Sequence, residues 1–149
     1  MKQITLHPPL HTFSSSLKIT NGPEFRTIWD PIRRKWIILT PEEWVRQLFI
    51  QYLAALWPLS KMAVEKQISV YQKQKRFDLV LYEGDMQSYM LFEFKNPDVK
   101  VSNEVFQQAA QYNFTLRVPY LCISNGPETY CCHIDWDEKT YTFLDALPL

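Results

Sequence analysis

The sequence predicts an α/β protein in which a mixed β-sheet is flanked by two helices and preceded by an N-terminal β-hairpin. Two segments, 41–56 and 103–116, repeat apolar residues at the spacing of an amphipathic helix. The segments around them are short and rich in Val, Ile, Leu, Phe and Tyr, a composition typical of strands. Because predicted strands stand on both sides of each helical segment, the elements are expected to form one sheet with helices packed on it.

Length and composition limit the class of protein. The chain has 149 residues, of which 46% are apolar and 21% charged, so we expect a loose arm over 1–25 and a single domain over 26–149. Sixteen basic residues balance sixteen acidic ones, so no overall charge draws the protein to nucleic acid or to an acidic membrane. No apolar run reaches the length of a membrane span and no signal peptide is visible, which predicts a soluble cytoplasmic protein without a membrane partner.

Cysteine and glycine usage exclude several kinds of site. Three cysteines are too few for a disulfide framework, and no Cys-x-x-Cys pair occurs for zinc. Neighbouring strand residues point to opposite faces, so only Cys131 and His133 could share a ligand cluster, and core cysteines beside a polar-face histidine are the favoured interpretation. The three glycines build no phosphate-binding loop, so we expect no nucleotide cofactor and no motor.

The boundaries of the elements carry their own signals. Segments 26–29 and 36–39 are predicted strands joined by a turn with a basic tip. Thr40 and Glu43 predict a capping box at the start of the first helix, whose apolar face holds Val45, Leu48, Phe49, Tyr52, Leu53 and Leu56. The later predicted elements are strands 63–71, 76–82 and 89–95, a helix 103–116, and strands 120–124, 129–135 and 141–143.

Two acids on neighbouring predicted strands carry the functional signal. Strand alternation places Glu93 and Lys95 on the same face. A four-residue loop over 84–87 would set Asp78 directly opposite Glu93, where like charges repel by roughly 3 kcal/mol at an effective dielectric near 20. Lys95 alone, a raised carboxyl pKa or a divalent cation shared by both acids would relieve this repulsion.

A Glu-x-Lys pattern is usually a solvated surface pair worth under about 1 kcal/mol, but three features favour a functional cluster. The strand around Glu93 is otherwise apolar on both faces, where charges are unexpected. Gln108 and Tyr112 lie one turn apart on the stripe of the second helix that is expected to face the sheet. Glu42 leans toward the apolar stripe of the first helix, whereas Glu43 has the role of the capping-box acid.

These residues resemble the PD-(D/E)xK nuclease superfamily and, more narrowly, the N-terminal nuclease domain of type I restriction enzyme R subunits. The resemblance runs through the strings 29–36, 40–47, 76–78, 92–97 and 124–126. It implies a restriction-endonuclease-like core with Asp78 and Glu93 as metal-binding acids and Lys95 as the catalytic lysine. Gln108 and Tyr112 match the Gln-x-x-x-Tyr motif that helps to position DNA and the active site. Phe77 stands where the superfamily name has proline, at a position already variable in these nucleases.

The resemblance also implies an acid near the start of the first helix. Glu42 is the candidate, with Glu43 and Glu65 as second-tier candidates, and Glu65 could equally face solvent. Two basic clusters could contact phosphates, or could be solvated turn charges; they contain Arg33, Arg34, Lys35, Lys73, Lys75 and Arg76.

Metal-assisted phosphodiester hydrolysis is the function that the resemblance implies. Asp78 and Glu93 would hold Mg²⁺ or Mn²⁺, with the Phe94 carbonyl completing the ligands, so that a bound water becomes a better nucleophile. Lys95 would orient that water or offset the charge that develops on the phosphate. We therefore expect a DNA endonuclease without a motor, acting as a homodimer or with restriction-complex subunits. The alternative is a non-catalytic DNA- or protein-binding module on the same scaffold.

Overall fold

The structure, a computed structural model, describes residues 1–70 and 73–149, without the side chains of Val70 and Lys73. Residues near the N-terminus form a three-stranded antiparallel sheet of β1 (Ile19–Asn21), β2 (Arg26–Asp30) and β3 (Lys35–Ile38). The predicted hairpin is confirmed as β2 and β3, while β1 was not predicted. Residue 71, the last of the predicted strand 63–71, lies outside the described residues.

The main sheet has six strands in the order β4-β5-β6-β7-β8-β9. These are β4 (Met62–Val70), β5 (Lys73–Glu83), β6 (Gln87–Phe94), β7 (Tyr120–Ser124), β8 (Thr129–Asp135) and β9 (Thr140–Phe143). β6 and β7 pair in parallel through a connection that contains α2 (Asn103–Leu116), and the other neighbours are antiparallel. α1 (Pro41–Ala54) links the two sheets. The predicted mixed sheet with two helices and a preceding hairpin is therefore confirmed.

α1 begins at the predicted position. Thr40 Oγ1 accepts the backbone N–H of Glu43 at 3.0 Å, which satisfies one of the unpaired donors of the first turn. The reciprocal bond of a capping box is not formed in the described part of the chain, because the Glu43 carboxylate is engaged in ion pairs instead. The helix ends at Ala54, so Leu56, predicted to lie on its apolar face, is 62% exposed.

Two apolar layers enclose the main sheet. On one face α1 places Phe49 against Phe92 and Phe94, with ring centroids 5.8 and 5.1 Å apart. On the other face α2 packs Phe106 into a layer that includes Leu91. Because these side chains are almost fully buried, each contributes roughly 2 kcal/mol of hydrophobic stabilisation. In the part of the chain that the structure describes, no helix is long and apolar enough to cross a membrane.

The cysteines of β8 alternate as predicted. Cys131 is buried in the layer beneath α1, and Cys132 is buried in the layer beneath α2. His133 is exposed. The prediction of core cysteines next to a solvent-facing histidine is confirmed.

The first 25 residues are not a loose arm, and that expectation was wrong. Ile4, Leu6 and Leu10 are buried in the layer beneath α1, and a 3₁₀ helix spans Leu10–Ser16. The Ile4 N–H donates to the carbonyl oxygen of Thr129 at 2.8 Å. Single apolar residues spaced among polar ones give no periodic signal in the sequence, although the surface of α1 buries them.

The hairpin of β5 and β6 has the predicted register but not the predicted loop. The turn covers residues 84–86, one residue fewer than the predicted loop 84–87, because Glu83 and Gln87 already pair. A β-bulge then adds Tyr89 to β6. The two changes cancel, so Leu79 stands opposite Phe92, as the predicted register requires.

Candidate active site

The pairing of β5 with β6 ends at Leu79 and Phe92, one residue before the two predicted acids. The side chain of Asp78 turns toward β6, and its Oδ2 accepts the backbone N–H of Phe94 at 2.7 Å. The next N–H along the chain, that of Lys95, donates to the carbonyl oxygen of Ser124 on β7 at 2.8 Å. The Asp78 carboxylate therefore replaces a backbone carbonyl as the acceptor for the Phe94 N–H, in the segment that also contains Glu93 and Lys95.

Three negative groups influence one another at this point. Burial raises the pKa of Asp78 from 3.8 to about 6, the Phe94 N–H and the Arg46 charge oppose that rise, and the charges of Glu42 and Glu93 add to it. The three carboxylates are thus near enough to interact electrostatically. Within residues 1–70 and 73–149, however, no three His, Cys, Asp or Glu side chains are grouped closely enough to hold a metal ion.

The raised pKa of Asp78 predicts a stability that depends on pH. Between about pH 4 and pH 6 the folded chain keeps a proton that the unfolded chain has lost, so stability falls as the pH rises through this window. Above pH 6 the charged Asp78 costs at most about 3 kcal/mol. Urea unfolding of wild type and Asp78→Asn from pH 4 to pH 8 would measure this: the variant's advantage should grow up to about pH 6 and then level off. A constant difference across this range would contradict the prediction.

One carboxylate oxygen of Glu93 is buried without a hydrogen bond from the described residues. The residue is 8% exposed, and its Oε1 lies 3.1 Å from Lys75 Nζ. Apart from this ion pair, Oε1 has no hydrogen-bond partner in the described part of the chain. A buried carboxylate oxygen without such a partner is costly. Asp78 and Glu93 together therefore fit a hard divalent cation, which binds carboxylate oxygens.

The remaining residues of the Glu-x-Lys and Gln-x-x-x-Tyr patterns differ in their burial and in the groups that they contact. Lys95 is half-buried directly after β6, and the structure records no ion pair between its ammonium and a described carboxylate. Tyr112 is half-buried, with Lys75 Nζ 5.4 Å from the centre of its ring, so it contacts the cation that faces Glu93. Gln108 is exposed, and the expectation that it points at the sheet was wrong.

The rotation of α2 explains the position of Gln108. The buried face of the helix consists of Phe106, Ala109, Ala110 and Asn113. The large Phe106 ring packs against Phe143 at 4.8 Å between centroids and fixes this orientation. The side of the helix that carries Gln108 and Tyr112, predicted to face the sheet, is therefore turned partly toward solvent.

The positions predicted for the two acids of α1 are reversed. Glu42 is exposed, whereas Glu43 is 4% exposed. Glu43 binds Arg33 at 2.8 Å and Arg46 at 2.9 Å. Burial alone would raise the pKa of Glu43, but hydrogen bonds and charge from Arg46, together with bonds from Arg33 and Gln47, hold it below its usual value. Glu43 is therefore a buried ion-pair partner, and Glu42 is the acid of the two whose charge influences Asp78.

A buried aspartate, Asp30, was not among the predicted site residues. It binds one of the basic side chains of the hairpin tip, that of Arg33. Asp30 is fully buried, and its Oδ1 accepts the N–H groups of Ile32 and Arg33 at 2.7 and 2.9 Å. Its Oδ2 accepts from Arg33 Nε at 2.6 Å and from Gln47 Nε2 at 3.1 Å. Arg33, predicted to contact phosphate, is instead committed to Asp30 and Glu43. An aspartate that opens a proline-containing turn is the signal that could have revealed this.

The other candidate basic residues remain on the surface. Arg34 and Lys35 are exposed at the hairpin tip. Arg76 is 58% exposed, and its Nη1 lies 3.2 Å from Glu65 Oε2. The side chain of Lys73 lies outside the described residues. Glu65 does not simply face solvent, because it also pairs with Arg46 at 2.7 Å.

The family of the chain agrees with the resemblance seen in its motifs. Residues 41–148 match the family described as the type I restriction enzyme R protein N terminus. The chain therefore belongs to this family. The matched range begins at α1 and includes the whole main sheet, while the three-stranded sheet that carries Asp30 and Arg33 precedes it. Among proteins with curated descriptions, none matches the chain.

Proposed function

We propose that the chain is a metal-dependent DNA endonuclease domain with a PD-(D/E)xK core. The observation that carries this proposal is the Asp78 carboxylate, which is held against the backbone N–H of Phe94, the residue that follows Glu93. A buried Glu93 oxygen without a hydrogen bond supports a cation site, as does the raised pKa of Asp78. Membership of the R-protein N-terminal family is consistent with a nuclease domain.

Each residue of the site has a distinct task in this proposal. Asp78 and Glu93 would hold Mg²⁺ or Mn²⁺, and Glu42 is the candidate for a third acid. The bound ion would supply a water of lowered pKa for attack on phosphorus. Lys95 would place its ammonium against the negative charge that develops on the phosphate. Lys75, held over Tyr112, would balance the charge of Glu93.

We further propose DNA as the substrate, and other restriction-complex subunits or a second copy of the chain as partners. Arg34 and Lys35 are exposed at the hairpin tip and are free of the buried ion pairs that engage Arg33. They are therefore the basic residues of that tip that are suited to contact phosphates. Two copies would be needed where both strands of a duplex are cut by single sites.

The proposal predicts cleavage that depends on a divalent ion. Supercoiled plasmid incubated with the protein should become nicked or linear in Mg²⁺ or Mn²⁺, because the ion would complete the site at Asp78 and Glu93. The conversion is measured by gel electrophoresis, and excess EDTA should abolish it. Intact plasmid in both ions, with DNA retarded by the protein, would contradict the proposal.

That opposite outcome would support a non-catalytic DNA- or protein-binding module, which one observation favours. Lys75 already places a positive charge 3.1 Å from Glu93, so the acid is partly neutralised without an ion. Lys75→Met separates the two functions. A binding module should lose stability without responding to Mn²⁺, whereas a metal site should be stabilised by Mn²⁺ in the variant as in wild type.

A further inference from the structure

The pairing of β4 with β5 is interrupted at one position. The strands pair regularly through Val64 and Leu79 and again through Lys66 and Phe77, but the residues between them, Glu65 and Asp78, are not paired. Glu65 has a φ of 56°, in the left-handed region that side chains other than glycine rarely adopt. A strained residue inside a strand persists only where its surroundings hold it in place.

Both strands change face at this interruption. Leu79 packs in the layer beneath α1, whereas Phe77, also an odd-numbered residue of β5, packs in the layer beneath α2. Val64 and Ile68 of β4 divide between the two layers in the same way. Regular strand alternation would keep each pair on one face. Asp78 thus lies at a local twist of the sheet rather than in a regular ladder.

Arg46 lies on α1, and its guanidinium binds to both strands at the position where their pairing is interrupted. Its Nη1 donates to the backbone carbonyl oxygen of Asp78 at 3.2 Å and to Glu65 Oε1 at 2.7 Å. Its Nε and Nη2 donate to the two carboxylate oxygens of Glu43, each at 2.9 Å. The side chain is 11% exposed, so these contacts leave it little access to a substrate phosphate.

We propose that Arg46 is a positioning residue that sets the direction of the Asp78 carboxylate. By donating a hydrogen bond to the Asp78 carbonyl oxygen and holding Glu65 in its left-handed conformation, Arg46 lets the Asp78 side chain turn to the Phe94 N–H. This orientation places the carboxylate against the backbone N–H of the residue that follows Glu93. The inference rests on the proposed function only where it concerns metal affinity.

The geometry of a guanidinium suits this task better than that of an ammonium. Arg46 bonds Glu43 through two parallel donors and reaches Asp78 and Glu65 through a third. A lysine could serve one of these acceptors but could not keep the planar fork that joins α1 to both strands. Arg46→Lys should therefore restore only part of the effect of the arginine.

Amide hydrogen exchange measured by NMR tests the inference without a metal. Arg46→Met should lower the exchange protection of the Phe94 N–H by about tenfold or more, because its acceptor, the Asp78 carboxylate, loses its fixed direction. The Lys95 N–H bonds to Ser124 on β7 and should keep its protection, which gives an internal reference. Arg76→Met is the matched control, since Arg76 binds Glu65 but does not contact Asp78.

Calorimetric titration with Mn²⁺ tests the consequence for the site. Arg46→Met should weaken Mn²⁺ binding by about tenfold or more, with Arg46→Lys between the variant and wild type. Unchanged Phe94 protection and Mn²⁺ affinity in a folded Arg46→Met protein would overturn the inference and leave a structural role only. If Arg46→Met does not fold, the same two measurements on Arg46→Lys decide. A wild type that binds no Mn²⁺ would defeat the proposed function, while Phe94 exchange would still test Arg46.

Discussion

Asp78→Asn should reduce DNA cleavage by about 10³-fold or more while the domain stays folded. The asparagine oxygen can still accept the Phe94 N–H that Asp78 accepts at 2.7 Å, so the end of β5 should keep its geometry. What disappears is the negative charge that would bind the ion. A loss of this size corresponds to about 4 kcal/mol of transition-state stabilisation, which is within the range supplied by a catalytic metal.

Cleavage rates and Mn²⁺ binding, measured together, check this expectation. The variant should bind Mn²⁺ too weakly to saturate and should unfold at higher urea concentration than wild type at pH 8. Asp85→Asn is the matched control, because it makes the same change at an exposed position in the turn 84–86. Wild-type cleavage by Asp78→Asn would remove Asp78 from the site.

Lys95→Met should lower cleavage by about 10²-fold or more without weakening Mn²⁺ binding. The lysine is half-buried and lies two residues after Glu93 in the chain, and in the proposed function it stabilises the charge of the transition state rather than the ion. Removing one such donor typically costs about 3 to 4 kcal/mol. Methionine preserves the apolar part of the side chain, so the fold should be little affected.

Single-turnover cleavage of a short duplex, with Mn²⁺ affinity measured on the same preparation, separates this role from that of Asp78. Lys100→Met, at an exposed position in the following loop, controls for the loss of one positive charge near the DNA. If Lys95→Met lost Mn²⁺ binding as completely as Asp78→Asn, the lysine would support the metal site instead of the phosphate.

The sequence could predict the register that aligns Leu79 with Phe92, because strand periodicity and a short hairpin are local properties. It could not predict the loop itself. The turn 84–86 is one residue shorter than expected, and the bulge at Tyr89 restores the count. The predicted register was thus reached through two differences that compensate each other.

The direction of side chains at the site depends on specific hydrogen bonds and ion pairs, and the periodicity of helices and strands does not predict these. In the arrangement proposed above, Asp78 turns to β6 because Arg46, which lies 32 residues earlier, donates a hydrogen bond to the Asp78 carbonyl oxygen. Arg33 points inward because Asp30 is buried beneath the turn. Glu43 rather than Glu42 is buried because Arg33 and Arg46 neutralise it. For Arg33 and Glu43 ion pairs, and for Asp78 a hydrogen bond from Arg46, overrode the helical or turn pattern.

The compensating bulge in β6 also makes the tip of this hairpin a practical attachment point for a fluorescent reporter. Met86 is 52% exposed in the turn, while the native cysteines are all fully buried. Met86→Cys would consequently offer the most accessible thiol of the chain for selective labelling. Because the bulge separates the tip from the paired residues Leu79 and Phe92, a dye there should leave the strand alignment next to Asp78 and Glu93 unchanged.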